Sequence, residues 1–193
     1  MGRTARTAGQ AARRTAVAVA ATLTLSGCGL FGESKVLRDA PQNMTVTSPI
    51  VNDGVIPAQS TCHGTGQSPP VSWSGAPPGT KSLALVVDDS QAPITPYVYW
   101  IVFNISPGTD IEPGMIPPDA LQADNSAGHA KYLPPCPAGT HQYRFTVYAL
   151  NSSLRLQDGA SLQDAWTAIA AHAIARGRLT ATVRPGVSTG RSR

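Results

Sequence analysis

Two apolar runs, Ser82–Asp88 (SLALVVD) and Tyr97–Ile105 (YVYWIVFNI), constrain this chain more than any other feature. A strand sends successive side chains to opposite faces, so a strand with one wet face alternates apolar and polar residues. These two runs are apolar at nearly every position. Each therefore predicts a strand covered on both faces, near the centre of a sheet. Around them, 17 prolines and 18 glycines among 193 residues cut the chain into short pieces. That composition favours strands and turns over long helices. The length suits one domain with short extensions, large enough to bury a full core without metals.

The remaining elements read more locally. Met44–Ser48 is β-prone and is followed by the turn signal Asn52-Asp53-Gly54. Val71–Ser74 is a short alternating strand, closed by the turn residues of Gly75–Thr80. Thr140–Leu150 alternates, with Tyr143, Phe145, Val147 and Ala149 on one face. Between these elements, Ser106–Ala130 shows little periodicity, and loops beyond about 12–15 residues are uncommon unless functional. Ser161–Arg176 predicts the one helix. Ser161 is its N-cap and Asp164 the acid of a capping box, while Leu162, Ala165, Trp166, Ile169 and Ala173 form an apolar stripe. Gly177 is the expected stop, and Arg178–Val183 returns as a strand.

The first residues read as an address. Arg3, Arg6, Arg13 and Arg14 precede the apolar run Thr15–Leu25, and Leu25-Ser26-Gly27-Cys28 follows. A basic start, a short apolar stretch and small residues at the cut describe a secretory signal. The run is shorter than the roughly 20 residues that a membrane-spanning helix needs. The ending resembles the lipobox of bacterial lipoproteins. That resemblance implies cleavage before Cys28 and attachment of a diacylglyceryl group with palmitate-type chains to its sulfur. The expected organisation is a signal peptide over 1–27, a lipidated tether over 28–42, a domain over 43–185 and a frayed tail over 186–193. The expected location is the extracytoplasmic face of the cell membrane, held by the lipid on Cys28.

The net charge of +4 comes from the same segment. Removing its four arginines from the fifteen basic residues leaves eleven, matching the eleven acids. No basic stripe remains to displace counterions from a phosphate backbone, so nucleic-acid binding is excluded.

With Cys28 lipidated, Cys62 and Cys136 are left. An even pair in an oxidising compartment suggests a disulfide; the alternative is two unpaired thiols, one of them buried. No Cys-x-x-Cys occurs, and His63, His129, His141 and His172 lack ligand-pair spacing, so no metal site and no cofactor are expected.

Three blocks carry a resemblance to a known family. The first, 61–93, contains Ser68-Pro69-Pro70, Trp73, the run Gly79-Thr80-Lys81-Ser82-Leu83-Ala84, and Asp89-Ser90-Gln91-Ala92-Pro93. The second is Tyr99–Ile105, with Trp100, Asn104 and Ile105 in place. The third, 132–150, contains Pro134-Pro135-Cys136-Pro137, Gly139, His141, Tyr143 and a final Ala149-Leu150. Together they resemble the bacterial Raf-kinase-inhibitor-like branch of the phosphatidylethanolamine-binding protein family. The resemblance implies a mainly β fold, with a large antiparallel sheet packed with a smaller sheet and a late C-terminal helix. It also implies an anion pocket at one sheet edge.

Carried over singly, Asp89, His141 and Tyr143 line that pocket, and Pro135 and Gly139 shape its loop. Two positions depart from the family pattern. Tyr99 stands where the second block has histidine, and Gln91 replaces the second aspartate of the first block. Tyr99 keeps a donor but no longer titrates near neutral pH. Leu133 and Gln142 also differ, so the mouth is expected to be narrower and less cationic. Chemically, His141 and Tyr143 would donate to a phosphate-like group, and Asp89 would orient the histidine. Asp88 and Asp89 are adjacent on a strand and face opposite ways, so they are no acid–base couple. Tyr97 and Trp100 read as core, and His63, His129 and His172 as structural or exposed.

The functional expectation is a membrane-anchored binding protein, not an enzyme. It would take a small anion or lipid head group and inhibit or regulate a kinase or protease partner. One alternative is a structural envelope lipoprotein with a vestigial pocket. The other is a hydrolase, for which the chain offers no Gly-x-Ser-x-Gly elbow, no His-Glu-x-x-His motif and no paired carboxylates.

Overall fold

The computed structural model describes residues 40–51, 54–92 and 96–184, together with Gly2. The rest of the signal segment, Cys28, the tether up to residue 39, Asn52, Asp53, residues 93–95 with Pro93, and the tail from residue 185 lie outside the described residues.

Among the described residues, seven strands and one α-helix follow in order: β1 (Gln42–Thr47), β2 (Ser72–Ser74), β3 (Ser82–Asp89), β4 (Tyr97–Ile105), β5 (Leu121–Ala123), β6 (His141–Leu150), α1 (Leu162–His172) and β7 (Ala173–Val183). Spatially the strands run β2-β1-β7-β6-β3-β4-β5. The block β7-β6-β3-β4-β5 is antiparallel throughout. The short antiparallel β1–β2 ladder joins it through a parallel pairing of β1 with β7, so the whole sheet is mixed.

The two apolar runs sit where their sequence requires. All eight residues of β3 are buried, and β4 is buried from Trp100 to Phe103. One face of the sheet carries Leu83, Leu85, Val87, Val102, Phe145 and Val147 under β1 and the loops. The other carries Ala84, Val86, Ile101, Phe103, Tyr148 and Leu150, packed with Ala165 and Ile169 of α1. Tyr143, Phe145, Val147 and Ala149 do share a face. The opposite face of β6 is not wet, however, because α1 covers Tyr148 and Leu150.

The helix begins as its sequence predicts. Ser161 Oγ accepts a hydrogen bond from the Asp164 N–H at 3.1 Å and donates to the Asp164 carboxylate at 2.8 Å. It ends earlier than expected, at His172, and Ala173, Ile174, Arg176 and Gly177 belong to β7. The reason is tertiary. From Leu150↔Ala173 to His141↔Val183, β7 pairs along the whole of β6, and that ladder outweighs helix propensity. Gly177 is not a helix stop but a point of close approach: a Cβ there would lie 2.5 Å from the Met44 carbonyl oxygen. The 106–130 stretch also holds more order than expected. It contributes β5, and Ile111 bridges to Val71.

Candidate functional site

Three neighbouring strands converge on one end of the sheet. Asp89 ends β3, Tyr97 begins β4 and His141 begins β6. Because the strands are antiparallel, the end of the middle one meets the starts of its two neighbours. Asp89 is paired in register with Tyr143 on one side and Tyr97 on the other. Residues far apart in sequence thus share one face.

Asp89 is buried, and its Oδ2 lies 2.6 Å from His141 Nδ1. A carboxylate accepts, so the proton belongs on Nδ1 and Nε2 is left for another partner. Asp89 Oδ1 accepts from the Gln91 N–H at 2.8 Å. Gln91 in turn accepts through Oε1 from the Gln142 N–H at 2.7 Å. The glutamine that departs from the family pattern therefore ties the end of β3 to the start of β6.

Tyr99 is placed by an irregularity. The pairing steps from Val87↔Trp100 to Asp88↔Val98, so β4 spends one extra residue there. Such a bulge re-aims side chains. It puts Tyr99 and its neighbour Trp100 against the same core cluster, whereas strict alternation separates them. The Tyr99 ring packs edge-on against Tyr143, with centroids 5.2 Å apart, and against Tyr97 at 5.1 Å.

Tyr143 is fully buried, yet its hydroxyl has no hydrogen-bond partner among the described residues. Burial pushes its phenol well above the ordinary value, and the nearby Tyr99 and Asp89 push the same way. The Tyr99 phenol is raised too, again chiefly by burial; the Tyr143 hydroxyl opposes that shift. The two phenols influence each other without reaching hydrogen-bond geometry. Tyr132, whose hydroxyl donates to the Ser60 carbonyl at 2.7 Å, is raised by burial and then by Tyr99.

Asp88 turns the other way and binds the Arg144 guanidinium through both carboxylate oxygens. Asp88 and Asp89 thus serve separate partners on opposite faces.

The structure joins Asp89, Tyr99, His141 and Tyr143. Pro135 and Gly139 sit in the connection that leads into β6. Pro135 is buried and its carbonyl accepts from the Cys62 N–H at 3.1 Å, while Gly139 faces open space. Cys62 and Cys136 form a disulfide with Cα atoms 5.3 Å apart, lashing this connection to the 58–66 loop.

Sequence reasoning missed a neighbouring cavity of about 630 Å³, lined by Trp100, Gln122, Lys131, Tyr132, Met115 and Ser68 among others. Trp100 is a core residue, only 2% exposed, yet its edge borders this space and its Nε1 donates to Gln122 at 2.7 Å. The aromatic pair Trp100–Tyr132 was the available signal; their separation of 32 positions hid it.

Comparison with known proteins agrees with this architecture. The phosphatidylethanolamine-binding protein family model matches residues 46–184. A UPF0098 protein of Methanothermobacter thermautotrophicus is 39% identical over 151 residues, covering 74% of this chain and all of that protein. The putative lipoprotein LppC of Mycobacterium tuberculosis is 43% identical over 148 residues, covering 74% of this chain and 73% of LppC. Among solved structures, a putative phosphatidylethanolamine-binding protein homologue from Chlamydia trachomatis superposes with a TM-score of 0.69 at 35% identity, covering 75% of this chain and 99% of that one. With the family's fold, its sequence blocks and its residue matches present in one chain, this protein belongs to the phosphatidylethanolamine-binding protein family.

Proposed function

We propose that this chain is an anchored binding protein that takes a small phosphate- or carboxylate-type anion between His141, Tyr143 and Tyr99. One observation carries the reading: among the described residues the buried Tyr143 hydroxyl has no hydrogen-bond partner, beside the Asp89–His141 pair. A donor left unmade in the interior costs free energy that an anionic oxygen would recover. Asp89 holds the imidazole with Nε2 available, and Tyr99 supplies a further hydroxyl. Both phenols are protonated donors through the physiological range, as an ordinary tyrosine is, and burial raises them further.

The anchor in this reading is the lipid on Cys28, which the lipobox and the lipoprotein relative LppC both support. Among the described residues, no helix is long and apolar enough to cross a membrane. The anion would be a lipid head group or an acidic side chain of a partner kinase or protease, whose activity the protein would then restrain.

A second reading has one observation in its favour. The Tyr99 ring stands 5.2 Å from Tyr143 and takes up room on that side of the site. A vestigial pocket would follow if the ring blocks access. NMR titration with phosphate, phosphorylethanolamine and acetate separates the two. Saturable shifts at His141 and Tyr143, weakened about tenfold or more in Tyr143→Phe, support binding; each 1.4 kcal/mol is a factor of ten. No shift at either residue with any of the three anions refutes it.

A further inference from the structure

We propose that reduction of the Cys62–Cys136 disulfide unmasks a metal site, in which both thiolates and His63 hold one thiophilic divalent cation such as zinc. This site is independent of the anion reading. The sulfurs of Cys62 and Cys136 and an imidazole nitrogen of His63 lie within 4.8 Å of one another, and all three residues are exposed. Two sulfurs on a tetrahedral zinc stand about 3.8 Å apart, given a Zn–S length of about 2.3 Å. Small side-chain rotations at the surface reach that spacing without disturbing the core.

The backbone keeps the ligands together once the covalent link opens. The Cys62 N–H still donates to the Pro135 carbonyl at 3.1 Å, and the Tyr132 hydroxyl still binds the Ser60 carbonyl. Thr61 fixes the local turn: its Oγ1 donates to the Ala58 carbonyl at 2.9 Å and accepts from the His63 N–H at 3.2 Å. Both loops are therefore tied at the points where the ligands stand. Motif spacing could not show this, because Cys136 is 74 residues from Cys62.

The chemistry balances with a dithiol as reductant. It delivers two electrons and two protons, yielding the Cys62 and Cys136 thiols and its own disulfide. Metal binding then releases the two thiol protons. Two thiolates neutralise a divalent cation, neutral His63 is the third ligand, and a water completes the tetrahedron. In the oxidised chain the sulfurs carry no charge and cannot serve.

Cobalt(II) added to the purified full chain tests this, before and after reduction with a water-soluble phosphine. We expect a near-ultraviolet thiolate-to-cobalt band only after reduction, saturating at one metal per chain and displaced by zinc. His63→Ala, an exposed substitution, should weaken affinity about tenfold or more, as loss of a ligand does. Near-ultraviolet circular dichroism follows folding in parallel. No band after reduction overturns the proposal, as does unchanged affinity in His63→Ala. So does a band that survives in the double variant Cys62→Ser/Cys136→Ser, which lacks both thiolates of the site. Unfolding on reduction also overturns it, since the site needs both loops held without the covalent link.

Discussion

Replacing Tyr143 by phenylalanine should stabilise the protein while weakening its hold on anions. The ring is fully buried and its hydroxyl has no partner among the described residues. An unsatisfied buried hydroxyl costs about 1–3 kcal/mol, which the substitution removes. The void left by one oxygen is small, and at ~24 cal/mol per Å³ of residual cavity it returns only about 0.5 kcal/mol. The ring itself stays, so its contact with Tyr99 is kept. The net expectation is a gain of about 1 kcal/mol, or roughly 2–4 °C in Tm for a domain of this size. Urea denaturation without anion, followed by tryptophan fluorescence and far-ultraviolet circular dichroism, measures it. The slope should stay constant while the midpoint rises. With saturating phosphate the ranking should narrow or reverse, because the wild-type chain gains binding energy that the variant lacks. A loss of more than about 1 kcal/mol in Tyr143→Phe without anion would refute the reasoning, since it would mean the hydroxyl is already satisfied.

Further outcomes follow from the same geometry. Among the described residues, His141→Ala leaves the buried Asp89 carboxylate with the Gln91 N–H alone, and should cost about 1–3 kcal/mol by urea denaturation at neutral pH. The phenols of Tyr99, Tyr132 and Tyr143 are all raised on folding, chiefly by burial. Their contribution is therefore complete below about pH 10, the ordinary value for tyrosine, and is lost as pH rises above it. Urea midpoints taken across alkaline pH should fall in that window, less steeply in Tyr143→Phe. Gly177→Ala drives a Cβ to 2.5 Å from the Met44 carbonyl oxygen, so the parallel β1–β7 pairing must shift. About 2 kcal/mol is expected, read as a lower thermal midpoint. Cys28→Ser should move the protein from the membrane to the soluble fraction and abolish incorporation of a labelled palmitate.

Several features of this fold are local enough to read from sequence. Apolar residues at successive positions of β3 and β4 force cover on both faces wherever the strands lie. Ser161 and Asp164 cap a helix through contacts three residues apart. The four arginines and the run ending at Cys28 read as a signal from sequence alone, without reference to a fold. The candidate site was legible only through its resemblance, because neither Asp89 nor His141 announces its partner across 52 positions.

What the sequence could settle alone were properties of short range: which strands are buried twice and where the helix starts. The end of that helix was decided by β6, whose ten-residue edge draws Ala173–Val183 into the sheet. The bulge that brings Trp100 alongside Tyr99, the burial of the Tyr143 hydroxyl, and the meeting of His63 with Cys62 and Cys136 also arise only when distant strands and loops pack. Each depends on pairing energy between segments, and such energy has no signature in the spacing of neighbouring residues.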